Sequence, residues 1–503
     1  MNFQVIDVDT HFGPHPSQIG DFSIESLVSQ MRRQGISYSM AYSLRGVIYN
    51  SRAANDEVLK MAENHPEILP VATLDPRPYF GVEEEAERIA AGPFVACRLL
   101  PEQQGWSVDS AYFRKLLKLL DGYGIPIIIA AGGTGVCTKI AQCTADLSIP
   151  IILTGATYFS WGEVMEAAKI APNILISTQM LDVPYAPEIM AEELGVDRYV
   201  FGSSSPAAYI RPPLSILLRS SLSDEDKEKI LSGNIRRALE KRRPNLDRQG
   251  DKDAYNQWTI DRPIIDAHCH EGPWPFPMKP DGAKGILELM RKTGIEKCIL
   301  SSAEALVSDF VHGNKEMAKA IEGHPELLGY VTVNPNYLEQ SCAEMDTYLS
   351  MPNFVGVKVH PGYCGQSINS QLTKALAKEV EKRGVPLLIH TMGFGEPAKV
   401  LDLAQHVSNL PILMGHGGSN AWRESLEVLG RTSNVYTEFC ASFCDRGKVE
   451  ETIKAVGADR VLFGSDMDLI APEYILGMYE EAGMSAEEQD KVMYENVAQL
   501  FGI

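Results

Sequence analysis

Five residues that can bind a metal stand at the ends of short apolar runs in the C-terminal half of this sequence. They are His268 and His270 in IIDAHCH, His390 in PLLIH, His416 in PILMGH and Asp466 in VLFGSD. His268 and His270 are two apart, so on a strand they project to one side roughly 6.6 Å apart along the backbone, close enough to share one ion. Neutral imidazole and carboxylate suit a borderline divalent ion such as zinc. Three or four protein ligands with one open position make a catalytic rather than a closed structural site. Five ionisable groups buried at one end of a fold without a common partner would be very costly, so a shared ion is the expected reading. Lys358 and His360, again two apart in FVGVKVHP, join the set. Lys358 reads as a cation neutralising Asp466 or as a modified, metal-bridging residue, and His360 as a substrate contact or a support behind the ligands. His65 and His324, in HPE turns, are expected to be hydrogen-bonded core residues. His312 and His406, in helical patterns, are expected at the surface.

The elements that must position these residues are written twice. Val5-Ile6-Asp7 before Thr10-His11 resembles Ile264-Ile265-Asp266 before Cys269-His270, at an offset of 259 residues that drifts only to 262 by Phe201-Gly202-Ser203 and Phe463-Gly464-Ser465. In each copy short apolar runs alternate with amphipathic segments such as Gln371 to Arg383. In the second copy they are IIDAH, KCILSS, LGYVTVNP, FVGVKVHP, PLLIHT, PILMGH, NVYTEF and VLFGSD. Continuous apolar runs separated by helices indicate parallel strands covered on both faces. Eight such units in about 250 residues is the rhythm of a (β/α)8 barrel, whose chemistry lies at the carboxyl ends of its strands. The expected architecture is two tandem TIM-type barrels, 1–240 and 263–503, joined by a hydrophilic surface linker, 241–262. A doubly wound sheet is the alternative, although neither first strand is followed by a Gly-rich phosphate loop.

The chain has 503 residues, with 46 Lys plus Arg against 66 Asp plus Glu, a net charge of -20. That excess of acid disfavours nucleic acid and anionic membranes as partners and leaves small molecules. Nine scattered cysteines and an opening MNFQVIDVD without basic and apolar signal-peptide regions suggest a reducing cytoplasm. The most apolar run, Ile125 to Ala131, falls far short of the roughly 20 residues of a spanning helix.

Taken together, Asp266-Ala267-His268-Cys269-His270, Gly356-Val357-Lys358-Val359-His360-Pro361, His390, Gly415-His416-Gly417-Gly418, Leu462-Phe463-Gly464-Ser465-Asp466 and the closing Glu495-Asn496-Val497-Ala498-Gln499-Leu500-Phe501 resemble the amidohydrolase superfamily. The resemblance is to its amidohydrolase-related group, which includes aminocarboxymuconate-semialdehyde decarboxylase. It implies one divalent ion, zinc first with manganese or iron as alternatives, held by His268, His270, His390 and Asp466, with His416 nearby to move a proton or polarise a carbonyl. In relatives with two metals a carboxylated lysine on strand four bridges them, which makes Lys358 the candidate; one ion is favoured here. Asp466 is then the group that takes a proton from an activated water.

Around this set, Trp274, Trp422 and Arg423 follow strands one and six. They read equally as an apolar wall with a carboxylate clamp and as packing and surface. Glu438 is expected to reach the site as an extra acid or to pair with Lys358. Cys440 and Cys444, without partner cysteines, are preferred as free thiols over ligands. In the first copy Asp9 stands opposite His268 and His11 opposite His270, but Arg98, Leu100, Ala130, Gly155 and Ser204 replace Lys358, His360, His390, His416 and Asp466. A barrel without metal chemistry is expected there, as an internal pseudo-partner of a monomer or within a homo-oligomer. The functions to be separated are hydrolysis of a C–N, lactone or related bond of a small polar metabolite, decarboxylation or hydration of an aromatic-derived carboxylate, and a non-catalytic binding or scaffold role.

Overall fold

The computed structural model describes residues 3–16, 19–251, 253–278 and 282–503. The chain divides into two compact units, Met1–Thr259 and Ile260–Ile503, and each is a TIM-type barrel.

In the first unit eight parallel strands pair in chain order: β1 Ile6–Phe12, β2 Tyr38–Ser43, β3 Ile68–Thr73, β4 Ala96–Leu99, β5 Ile127–Ala130, β6 Ile151–Thr154, β7 Ile174–Ser177 and β8 Tyr199–Val200. Backbone bonds from Val8 N to Phe201 O (2.9 Å) and from Ser204 N to Asp9 O (2.8 Å) close the ring. The inward residues Ile6, Val8, Met40, Val71, Ala96, Ile128, Ile152 and Val200 fill it, as alternate positions of covered parallel strands must. The stretch 241–262, expected as a surface linker, is committed to this unit as far as Thr259. Leu246 joins its core, Arg242 donates to the carbonyls of Ile89, Ala90, Gly92 and Phe94, and the Arg211 guanidinium stacks 3.9 Å from the Tyr255 ring. Its apolar residues are too sparse for a periodic pattern, yet Leu246, Ala254, Tyr255 and Ile260 are buried. Lys252 lies outside the described residues.

The second unit has seven regular parallel strands, again in chain order: β9 Ile264–Glu271, β10 Ile295–Ser302, β11 Leu327–Thr332, β12 Phe354–Val359, β13 Leu387–Met392, β14 Ile412–Gly418 and β15 Val435–Thr437. The eighth run, VLFGSD, closes the ring through single bridges, Thr437 with Val461 and Cys269 with Met467, and through Ala267 N to Phe463 O (3.0 Å). It departs from a regular strand because Asp466 takes φ +64. Gly464 also lies so close to its neighbours that a Cβ would meet Glu438 at 2.9 Å and His268 at 3.0 Å. Ile265, Ala267, Ile299, Tyr330, Leu388, Leu413 and Leu462 fill the barrel beneath the strand ends. The helices follow their local signals: Gln371–Arg383 starts on Ser370, whose side chain accepts from Thr373 N, buries Thr373, Leu376, Ala377 and Val380, and stops at Gly384 in the left-handed region. No helix among the described residues is long and apolar enough to cross a membrane.

Candidate metal centre

His268 and His270 leave β9 side by side, with ring centroids 5.2 Å apart. The Nδ1 of each is tied outward, His268 to Glu438 Oε1 at 2.8 Å and His270 to Ser301 Oγ at 2.9 Å. Because a carboxylate only accepts, His268 carries its proton on Nδ1 and turns a bare Nε2 inward. Both Nε2 atoms face one oxygen, Asp466 Oδ1, at 2.8 Å from His270 and 3.6 Å from His268. Asp466 and His416 both hold positive φ, +64 and +65, strain that a non-glycine residue keeps only where its surroundings over-determine it.

His416 donates from Nδ1 to the Cys440 carbonyl at 2.8 Å, and its Nε2 meets His390 Nδ1 at 3.0 Å. His390 stacks on His360 at 3.7 Å, and His360 on Tyr363 at 4.0 Å. Lys358 Nζ, buried, donates to His268 Nε2 at 2.8 Å. Burial, followed by neighbouring cations and imidazoles, pushes His268 and His390 well below the ordinary imidazole value, lowers His270, and brings His360 to about 3. Burial lowers Lys358 to about 8 against the pull of Asp466. Burial alone would raise Asp466, but the His270 bond and the charges around it hold that carboxyl well below the usual range. Neutral imidazoles beside a carboxylate are the donor state a divalent ion requires, once His270 releases the Nε2 proton it shares with Asp466.

The side chains brought within 4.8 Å of one another are His268, His416, Cys440 and Asp466, with His270 attached through Asp466. His390, expected among the ligands, is joined through His416 instead. Cys440, expected to be a free thiol, lies 3.3 Å from His416 Nδ1 and 3.6 Å from His268 Nδ1. Both of those ring atoms already hold protons committed to oxygen, so the lone pairs open to an ion are on Nε2, and Cys440 supports the rings from behind. Cys444 points to the Ala441 carbonyl at 3.5 Å. Glu438 is neither a free acid nor a partner of Lys358. Besides His268 it accepts from His416 N at 2.5 Å and Cys440 N at 2.7 Å, which commits both its oxygens.

Trp274 packs edge-on to His270 at 5.2 Å and donates Nε1–H to Asp468 at 3.2 Å. Trp422 is buried in the core, and the Arg423 guanidinium lies 4.1 Å from its ring and pairs with Glu451. For Trp422 and Arg423 this is the packing arrangement rather than the wall and clamp, because Trp422 is buried at the start of helix Trp422–Arg431 and Arg423 is spent on that ring and on Glu451 of helix Lys448–Val456. Sequence reasoning missed Ser301 and Asp266. Asp266 Oδ1 accepts from His268 N and Ser465 N, and Oδ2 from Ser465 Oγ, pinning the segments that carry His268 and Asp466 together. The signal was there: Asp7 and Asp266 occupy the same place in both copies, including the one in which His11 alone remains of the four histidines.

The sequence model of the amidohydrolase family, described as "Amidohydrolase", matches residues 6–241 and again 265–503. No curated protein matches the chain. Similar solved structures include an uncharacterized TIM-barrel protein, Bb4693, from Bordetella bronchiseptica (16% identity, 48% of this chain and 99% of that one, TM-score 0.42). Others are a 2,6-dihydroxybenzoate decarboxylase from Rhizobium (18%, 48% and 99%, 0.41) and a probable 2-pyrone-4,6-dicarboxylic acid hydrolase from Acinetobacter baumannii (15%, 48% and 99%, 0.36).

Proposed function

The chain belongs to the amidohydrolase family through both of its halves, and from that premise we propose that the second barrel is a metal-dependent hydrolase. Its substrate is a small polar metabolite carrying a C–N, lactone or related bond. The observation that carries the reading is the convergence of His268 Nε2 and His270 Nε2 on Asp466 Oδ1, with each Nδ1 already tied outward. His268, His270 and Asp466 would hold the ion, zinc before manganese or iron, with His416 and, through it, His390 at the open side. A divalent ion there supplies a Lewis acid for a carbonyl oxygen and acidifies a water.

The protein's own groups do the rest. Asp466, anionic and beside two imidazoles, accepts the proton of the attacking water. His416, its Nδ1–H spent on the Cys440 carbonyl, offers Nε2 to stabilise a developing oxyanion or to relay the proton toward His390. Lys358 holds the same His268 lone pair that an ion would take. It must give up that bond on loading, and is then free to meet substrate. Trp274 forms an apolar edge beside His270. The first barrel, with Arg98 and Asp9 in place of Lys358 and His268, carries no metal chemistry.

A second reading, decarboxylation or hydration of an aromatic-derived carboxylate, is favoured by Lys358 itself, a buried cation suited to pairing a substrate carboxylate. Incubation with lactones and amides on one side and carboxylated aromatics on the other, read as ring opening against carbon dioxide release, separates the two. Less than about a tenth of an equivalent of metal in chelator-free preparations would remove both, since each needs the ion.

A further inference from the structure

The first barrel keeps the frame of the second while changing what the frame holds. Asp7 Oδ1 accepts from Asp9 N and Ser203 N, and its Oδ2 from Ser203 Oγ, bond for bond as Asp266 does with His268 and Ser465. Ser204 takes φ +63 where Asp466 has +64, and Gly155 takes +74 where His416 has +65. The left-handed backbone is therefore retained at both positions, at a cost in strain for Ser204 and freely for Gly155, although the side chains it aimed are gone.

In their place lies a different polar set. Arg98, from the end of β4, donates Nη1 to Asp9 Oδ1 at 2.8 Å, and both side chains are buried. Ser204 Oγ donates to Asp9 Oδ2 at 3.0 Å, and Gln179 bonds to Ser204. The Arg98 guanidinium also lies 5.6 Å from the Tyr42 ring, and His11 packs between Phe22 at 6.0 Å and Tyr42 at 5.8 Å. Among the described residues, three polar atoms from three strand ends are buried without a hydrogen-bond partner: Arg98 Nε, His11 Nε2 and Thr178 Oγ1. Beside them Ala130 and Gly155 stand where His390 and His416 fill the other barrel. Among the described residues, a Cβ built on Gly155 meets nothing within 4 Å, so the space over Gly155 is open.

A buried ion pair is expensive to maintain, and orphaned donors beside it add to the cost unless something accepts from them. Asp9 engages only one terminal nitrogen of Arg98. The remaining edge, Nε with Nη2, is the planar fork that can donate two parallel bonds to a carboxylate. The walls are aromatic and aliphatic: Tyr42, Phe22 and Ala130. We propose that the mouth of the first barrel is a metal-free binding site for a small planar carboxylic acid, with Arg98 as its carboxylate anchor and the space over Ala130 and Gly155 receiving the apolar body. The inference does not depend on what the second barrel catalyses.

The test is calorimetric titration of the full chain with benzoate and with its uncharged analogue benzamide, in the wild type, in Arg98→Lys and in Ala130→Leu. Lysine keeps a cation beside Asp9 and removes the fork, whereas leucine fills the open space and leaves every polar group in place. Saturable benzoate binding that weakens about tenfold or more in each variant, with benzamide inert, is the expected result. Thermal midpoints serve as the control for folding, and either variant suffices if the other does not fold. Benzoate affinity equal to wild type in a folded variant, benzamide binding as well as benzoate, or no saturable binding of benzoate to the wild type would each overturn the proposal.

Discussion

At the residue scale the second barrel is organised around which atom of each ring is already spoken for. Glu438 and Ser301 hold the outer nitrogens of His268 and His270, so the inner ones act together. Replacing His268 or His270 by alanine should lower bound metal from about one equivalent to under a tenth by elemental analysis, because two ligands cannot hold what three or four do. Asp9→Ala, the matching change in the first barrel, should leave the metal content where it was. Glu438→Gln keeps the side chain's shape and weakens its grip on the His268 proton. A loss of metal affinity of roughly tenfold or more, with the fold intact, is expected. A separate expectation concerns Asp7, which burial raises from 3.8 to about 7. Across that interval the folded chain keeps a proton that the unfolded chain has lost, so stability is greatest below it and falls as pH rises toward 7. Asp7→Asn should therefore raise the thermal midpoint relative to wild type at pH 8 and not at pH 4. A shift of the same sign and size at both pH values would dispose of the proton as the cause.

At the scale of elements, the strand ends carry the geometry and glycine sets how closely they approach. Gly417 follows His416 on β14 with φ +51, and a Cβ there would meet the Phe439 ring at 2.5 Å. Gly417→Ala should cost about 2 kcal/mol or more in chemical denaturation and reduce metal binding with it, since relief of the clash moves His416. Gly430→Ala, in helix Trp422–Arg431 where an added Cβ meets nothing, should be neutral or slightly stabilising. Much of this level could be read from the sequence, because apolar runs such as IIIA of β5 and ILMGH of β14 have no other stable placement than a covered parallel strand. Less legible was the eighth run of the second barrel. Its composition is that of a strand, but Gly464 and the left-handed Asp466 turn it into a pair of bridges.

At the scale of the whole molecule, each unit closes its own ring and fills its own core. Expressed separately, 1–259 and 260–503 should each unfold cooperatively, with metal found only in the second. A first unit that binds an equivalent of metal would contradict the substitution of its ligands. The repeat, the barrel rhythm and the histidine set were all determined by the sequence, since burial patterns and spacing along one chain are local properties. Three things were decided only in three dimensions: that His390 meets the His416 ring, that Glu438 spends both oxygens on His268, His416 N and Cys440 N, and that Arg98 and Asp9 pair at the strand ends of the first barrel. The physical reason is that a hydrogen bond depends on the direction of two side chains from strands far apart in the chain. No spacing along one strand carries that information.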